Sequence, residues 1–273
     1  MEKSVVTRNL PRFVIVCLEE IIFITLTALA ISTIAGANTF WEPQQARTII
    51  IGAVSGMVGV WGTSIVEKLL KVRIGLAVDV FIAVDLLLSV VMGEACEVFL
   101  KIQGYDKFLH AFGTLQLALV GYVLSKYILK KTNKGGSHHL LFAIIFGFFF
   151  ALGVQMLWEL YEFSFDMIAG TNMQKYIPDE FMNSINQSNL DINATQQEIA
   201  EFYQSFNGYH YAVEDTMWDI VADIIGASAG VAGAAVVFHY FPKLQDSLLC
   251  DYKDIVEEEN EGTMNPVSKP NEK

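Results

Sequence analysis

The 273 residues carry a formal net charge of −12, yet 53% of them are hydrophobic and the mean hydropathy is +0.39, more apolar than a water-soluble domain of this size conceals. Apolar runs of about 20 residues, the length a bilayer core demands because lipid offers the backbone no hydrogen-bond partner, set the class: an all-α, polytopic membrane helix bundle. No basic stretch interleaved with aromatics points to nucleic acid, no glycine-rich loop points to phosphate, and Cys17, Cys96 and Cys250 lack the spacing of a zinc site or a disulfide framework.

Six spans are expected. The first apolar run, 13–35, follows Lys3, Arg8 and Arg12. Ala35-Gly36-Ala37 resembles a signal-peptidase site, but the run is too long for a signal core and contains Glu19 and Glu20, so it reads as an uncleaved span 1. Span 2, 48–66, holds Gly52, Ser55, Gly56, Gly59 and Gly62, a small-residue spacing that lets helix backbones approach closely. Span 3, 74–92, carries Asp79 and Asp85, span 4 covers 107–129, and span 5 covers 140–168. Span 6, 211–240, repeats the small-residue signal at Gly226, Gly230 and Gly233. Residues 1–243 are thus expected to form one transmembrane domain.

Between spans 5 and 6 lies the polar stretch 171–210. Thr195 with Glu198 makes a capping-box pattern, and Ile199, Phe202, Tyr203 and Phe206 share one helical face, which predicts a short amphipathic helix on the membrane surface; an irregular loop with chance periodicity is the alternative. Asn186-Gln187-Ser188 and Asn193-Ala194-Thr195 are sequons that matter only in a secretory pathway that glycosylates. Residues 244–273 read as an acidic, disordered cytoplasmic tail, with eight acids against three lysines over 246–273.

Orientation follows from lysine and arginine in the short connections. Lys3, Arg8, Arg12, Lys68, Lys71, Arg73, Lys126, Lys130, Lys131 and Lys134 fall on one side, and only Arg47, Lys101, Lys107 and Lys175 on the other. Both termini are therefore expected in the cytoplasm of a multi-pass cell-membrane protein, with 171–210 outside.

Three spans carry polar stripes. In span 5, Gln155, Glu159, Glu162 and Asp166 are spaced 4, 3 and 4 apart and lie within about 60° of arc. In span 6, Asp215, Asp219 and Asp223 recur every fourth residue, with Glu214 and Trp218 alongside; span 4 opens with Asp106, Lys107 and His110. Because spans 4 and 6 run inward and span 5 outward, the stripes are expected to meet in the outer leaflet. Eight acids (Asp106, Glu159, Glu162, Asp166, Glu214, Asp215, Asp219 and Asp223) then face Lys107 and His110 alone. Each ionised acid at membrane depth costs about 2.5–3.5 kcal/mol when uncompensated, so the excess must line a wet cavity, share protons or hold a cation. His110, Glu159, Glu162 and Asp219 are the candidates for catalysis or for binding a divalent cation. Asp106, Lys107, Gln155, Asp166, Asp215, Trp218 and Asp223 are pocket candidates. Asp166, Glu214 and Asp215 have a plainer reading as helix-end caps, and Trp158 and Trp218 as an interfacial belt. Glu19, Glu20, Asp79 and Asp85 form either a second polar path or packing hydrogen bonds.

The blocks DKFLH, WELYEF and DTMWDIVADIIGA resemble the pattern of the bacterial YjdF-type integral membrane proteins, and more loosely that of VanZ-like proteins, over about 104–235. The first three spans carry no such resemblance, and the insert 171–210 departs from the compact family pattern. The resemblance implies the membrane location and the fold; the YjdF-type family has no assigned activity, and the VanZ-like likeness would point to the cell envelope. Three functions stay open: a membrane-embedded enzyme acting on an envelope lipid or lipid-linked substrate, a proton- or cation-coupled transporter, and a non-catalytic accessory or sensor protein.

Overall fold

The computed structural model describes residues 2–70, 72–131, 139–174, 206–246 and 248–251. Among them six helical stretches are long and apolar enough to cross a bilayer: Leu10–Ile34, Gln45–Leu69, Leu76–Ala95, Tyr105–Lys130, His139–Ala169 and His210–Tyr240. Each coincides with an expected span to within three residues at either end. The amphipathic segment expected at 195–206, the two sequons and the acidic tail beyond 251 lie outside the described residues.

The spans are not all plain helices. Span 1 is α1 (Glu2–Ile34). Span 2 consists of α2 (Pro43–Gly59), which starts on a proline, and α3 (Gly62–Leu70), separated by a break at Val60 and Trp61. Span 3 begins as α4 (Leu76–Leu86) and widens into a π-helix over Leu87–Ala95. A wider helix leaves carbonyls short of their usual donors, and here the Leu88 carbonyl accepts the Tyr105 hydroxyl at 3.0 Å. A turn at Glu97, in the left-handed region at φ 59°, leads to α5 (Val98–Lys101).

Then come α6 (Tyr105–Lys131), α7 (His139–Ala169), α8 (Phe206–Tyr240) and a single turn, α9 (Lys243–Asp246). Strand β1 (Val72–Ile74) pairs antiparallel with β2 (Leu249–Asp251), Arg73 opposite Cys250. The described start of the segment after span 6 is therefore folded against the connection between spans 2 and 3.

The three-helix group α6, α7 and α8 is the tightest part of the bundle. Helices α6 and α8 run parallel, and two glycines on α8 let them touch. A Cβ at Gly226 would overlap the Ala111 carbonyl, and one at Gly230 would come within 2.5 Å of the Leu115 carbonyl oxygen. Helix α7 crosses antiparallel, with Gly147 against the backbone of Ala118 and Tyr122. The small-residue signal holds at Gly226 and Gly230 but not at Gly62 or Gly233, where an added Cβ meets nothing within 4 Å. Helices α1 and α2 make a second group, with Phe23 seated on Gly56. Large apolar side chains, among them Phe149, Met156, Leu157, Ile168 and Ile225, are exposed on the outer faces of α7 and α8, as a bilayer environment requires.

Candidate functional site

The first three turns of α6 present Asp106, Lys107, His110 and Thr114 along one flank. The i, i+4 spacing of Asp215, Asp219 and Asp223 puts all three on the flank of α8 that meets it. The glycine contacts one to two turns further along hold the two backbones close enough for these side chains to interlock. Asp219 is 1% exposed and His110 is 4% exposed, while Glu159, Glu162 and Asp223 are also buried. Three of the six spans thus deliver ionisable groups to one place at the end of the bundle where α7 finishes and α6 and α8 begin.

Lys107 is the anchor. Its ammonium lies 2.7 Å from Asp219 Oδ1 and 3.3 Å from Asp106 Oδ2, and it pairs with the Asp215 carboxylate as well as the Asp215 carbonyl. His110 stands between two pairs of acids. Its Nδ1 is 3.4 Å from Asp223 Oδ1 and 3.8 Å from Glu159 Oε1; its Nε2 is 3.6 Å from Asp219 Oδ1 and 3.9 Å from Asp106 Oδ1. These separations are longer than hydrogen bonds but short enough for strong electrostatic coupling away from water.

Asp223 is well supplied with donors. The Gln155 amide donates to its Oδ1 at 3.0 Å. The Thr114 hydroxyl stands 2.6 Å from that oxygen and 2.5 Å from the His110 carbonyl, with one proton for the two. Glu162 Oε1 accepts the Trp158 indole N–H at 2.8 Å. Glu159 differs: both of its oxygens are buried with no hydrogen bond among the described residues, although the Thr216 hydroxyl is close by. Asp219 Oδ2 has no hydrogen bond among the described residues, and its Oδ1 is met by the Lys107 ammonium at 2.7 Å.

The sequence-derived candidates divide accordingly. Asp106, Lys107, His110, Gln155, Glu159, Asp215, Asp219 and Asp223 come together, with Glu162 alongside. Asp166 goes elsewhere, capping the exit of α7: it accepts the Thr171 hydroxyl at 2.5 Å and the backbone N–H groups of Met173 and Gln174, each at 2.8 Å. Trp218 is 58% exposed on the outer surface of α8, and Glu214 is exposed beside His210. Of the expected metal ligands, His110 and Asp219 do fall together, but the third member of the group is Asp106; ligand atoms of Asp106, His110 and Asp219 lie within 4.8 Å of one another. Glu159 faces the other ring nitrogen. Thr114 and Thr216 were missed by sequence reasoning. Thr114 sits one turn beyond His110, a position that would have flagged it.

Three further polar contacts lie elsewhere in the bundle. Gln116 donates to Asp85 Oδ1 at 3.1 Å, joining α6 to α4 in mid-span. Toward the opposite end, Arg12 on α1 donates to Asp79 Oδ2 at 2.6 Å, to Glu67 Oε2 at 3.0 Å and to the Ile74 carbonyl at 2.7 Å. Glu20 accepts the Trp61 indole N–H at 2.9 Å.

A family model described as "Predicted membrane protein (DUF2238)" matches residues 21–184. The match begins within the first span and takes in the second and third, for which the sequence alone offered no resemblance, and all of α6 and α7. No curated protein and no solved structure matches the chain.

Proposed function

The chain belongs to this DUF2238 family of membrane proteins, and from that premise we propose that it is a proton- or cation-coupled transporter whose coupling ion binds at the His110 centre. One observation carries the reading. Six carboxylates, those of Asp106, Glu159, Glu162, Asp215, Asp219 and Asp223, gather around two cations, Lys107 and His110, and both oxygens of Glu159 are buried with no hydrogen bond among the described residues. A buried acid in that condition recruits positive charge. With acids at both of its nitrogens, His110 has the surroundings of a group that takes a proton from one side and returns it to the other. The Asp85–Gln116 pair, about 9 Å further along α6, supplies a next polar step. On the orientation read from lysine and arginine, the centre faces the outside of the cell membrane.

Reconstitution into liposomes with an internal pH-sensitive or cation-sensitive dye tests this. Wild-type protein is expected to pass protons or cations down an imposed gradient, and Asp219→Asn and Glu159→Gln are expected to lose at least tenfold in rate. Flux that is unchanged in both variants rejects the proposal.

The Asp106, His110 and Asp219 trio supports a second reading, a membrane-embedded enzyme that binds a divalent cation and acts on an envelope lipid or lipid-linked substrate. Lys107 weighs against it, because its ammonium already neutralises two of the three ligands. Elemental analysis of purified protein decides: a stoichiometric metal lost in His110→Ala favours the enzyme, and none removes it. An accessory or sensor role would instead tolerate Asp219→Asn and fail on deletion of 171–210.

A further inference from the structure

Toward the end of the bundle away from His110, a different set of buried ionisable groups joins α1, α3 and α4. Arg12 and Glu19 lie on the face of α1 that also buries Val16 and Phe23. Asp79 is fully served, its Oδ2 by Arg12 and its Oδ1 by the Thr63 hydroxyl at 2.7 Å. Glu67 is served as well: Oε2 takes Arg12 and Oε1 takes the Ile74 backbone N–H at 2.8 Å. The guanidinium also bonds the Ile74 carbonyl, so all three of its nitrogens and the Thr63 hydroxyl are engaged with partners other than Glu19.

Glu19 is 3% exposed, and its Oε1 is buried with no hydrogen bond among the described residues. The charged groups that act on it are Asp79 from α4 and Glu20 from α1, both acids. Near this level α2 contributes Gly56, and the break that follows contributes Val60; neither carries charge. A carboxylate without a donor, buried beside two others, has no structural task that glutamine or leucine would not perform at lower cost. We propose that Glu19, with Asp79 and Glu20 as its acidic neighbours, is a second site for an exchangeable cation, a proton or an alkali ion. It rests on the transport reading in one respect only, that this is the station at the far end of the route that begins at His110.

The test uses full-length protein in detergent and two probes, comparing wild type with Glu19→Gln, which keeps the side-chain shape. In the first arm, thermal unfolding is recorded in sodium chloride and in choline chloride; an alkali-ion site gives a sodium-specific rise in Tm that E19Q loses and Gly233→Ala, remote from both centres, keeps. In the second arm, infrared difference spectra follow the protonated-carboxyl absorption; a proton site gives a component that E19Q removes and G233A leaves. Loss of the response in either arm, in an E19Q protein that unfolds no earlier than wild type in choline, supports the site. Identical behaviour of E19Q and wild type in both arms overturns it, as does an E19Q Tm several degrees lower in choline, which would make Glu19 structural. An E19Q-sensitive response in a wild-type protein without liposome flux sinks the transport reading and leaves this site standing, whereas flux with no such response does the reverse.

Discussion

The Lys107 ammonium lies 2.7 Å from Asp219 Oδ1, linking the start of α6 to the middle of a carboxylate ladder on α8. The same ammonium reaches Asp106 and Asp215, so one cation holds three acids from two helices. Removing a partner from a desolvated ion pair costs about 3–5 kcal/mol, and Lys107 is partly exposed, which places Lys107→Met near the lower end. A fall in Tm in detergent is expected for K107M and a much smaller one for Lys107→Arg. Equal Tm values for K107M and wild type would show that the acids do not depend on this lysine.

Close packing of α6 on α8 gives a sharper test, because two glycines of one stripe behave differently. At Gly226 a methyl group has to displace the Ala111 backbone, whereas at Gly233 it meets nothing within 4 Å. Overpacking costs about 1–3 kcal/mol, and glycine in a helix interior is worse than alanine by about 1 kcal/mol. Gly226→Ala is therefore expected to lower the Tm and Gly233→Ala to hold or raise it. The ranking is checked on the two variants unfolded side by side.

Asp166 is expected to serve the chain exit from α7 and not ion binding. Asp166→Ala removes the acceptor of three donors in the turn after α7, and hydrogen bonds to a charged group contribute about 1.5–3 kcal/mol each. Limited proteolysis should then cut faster near residues 170–174, while liposome flux falls less than twofold. A flux loss as large as that of D219N would return Asp166 to the centre.

Orientation is testable in intact cells with single-cysteine proteins, since Ile102 and Lys243 are both exposed at opposite ends of the bundle. A membrane-impermeant maleimide should label Ile102→Cys from outside and reach Lys243→Cys only after permeabilisation. The opposite pattern inverts the protein and puts the His110 centre on the cytoplasmic side.

The spans were legible because length and hydropathy are all that a bilayer requires of a helix, and the stripes because four-residue spacing repeats on one face. With the directions read from lysine and arginine, His110 could be grouped with Glu159, Glu162 and Asp219. What the spacing could not decide is which of its two readings, pocket or plainer structural role, each residue follows. Trp218 precedes Asp219 by one residue, which turns it about 100° around the helix and onto the outer surface. Asp166 shares the stripe with Glu159 and Glu162, but α7 ends at Ala169, so free backbone N–H groups capture its carboxylate first. The π-helix, the β1–β2 pairing and the three-way use of Lys107 all depend on contacts between segments far apart in sequence, for which local periodicity carries no signal.

The β1–β2 ladder has a mechanical consequence. It straps the trailing end of the last span to the short connection leading into the third, with the Gly75 N–H bonded to the Leu248 carbonyl at 2.8 Å and Tyr122, Phe238, Val78 and Leu248 packed just inside it. The two halves of the molecule are thereby fastened at one rim. The opposite rim is tied by charge instead, Lys107 of α6 holding the Asp215 and Asp219 carboxylates of α8, so the two ends of the bundle are closed by different forces.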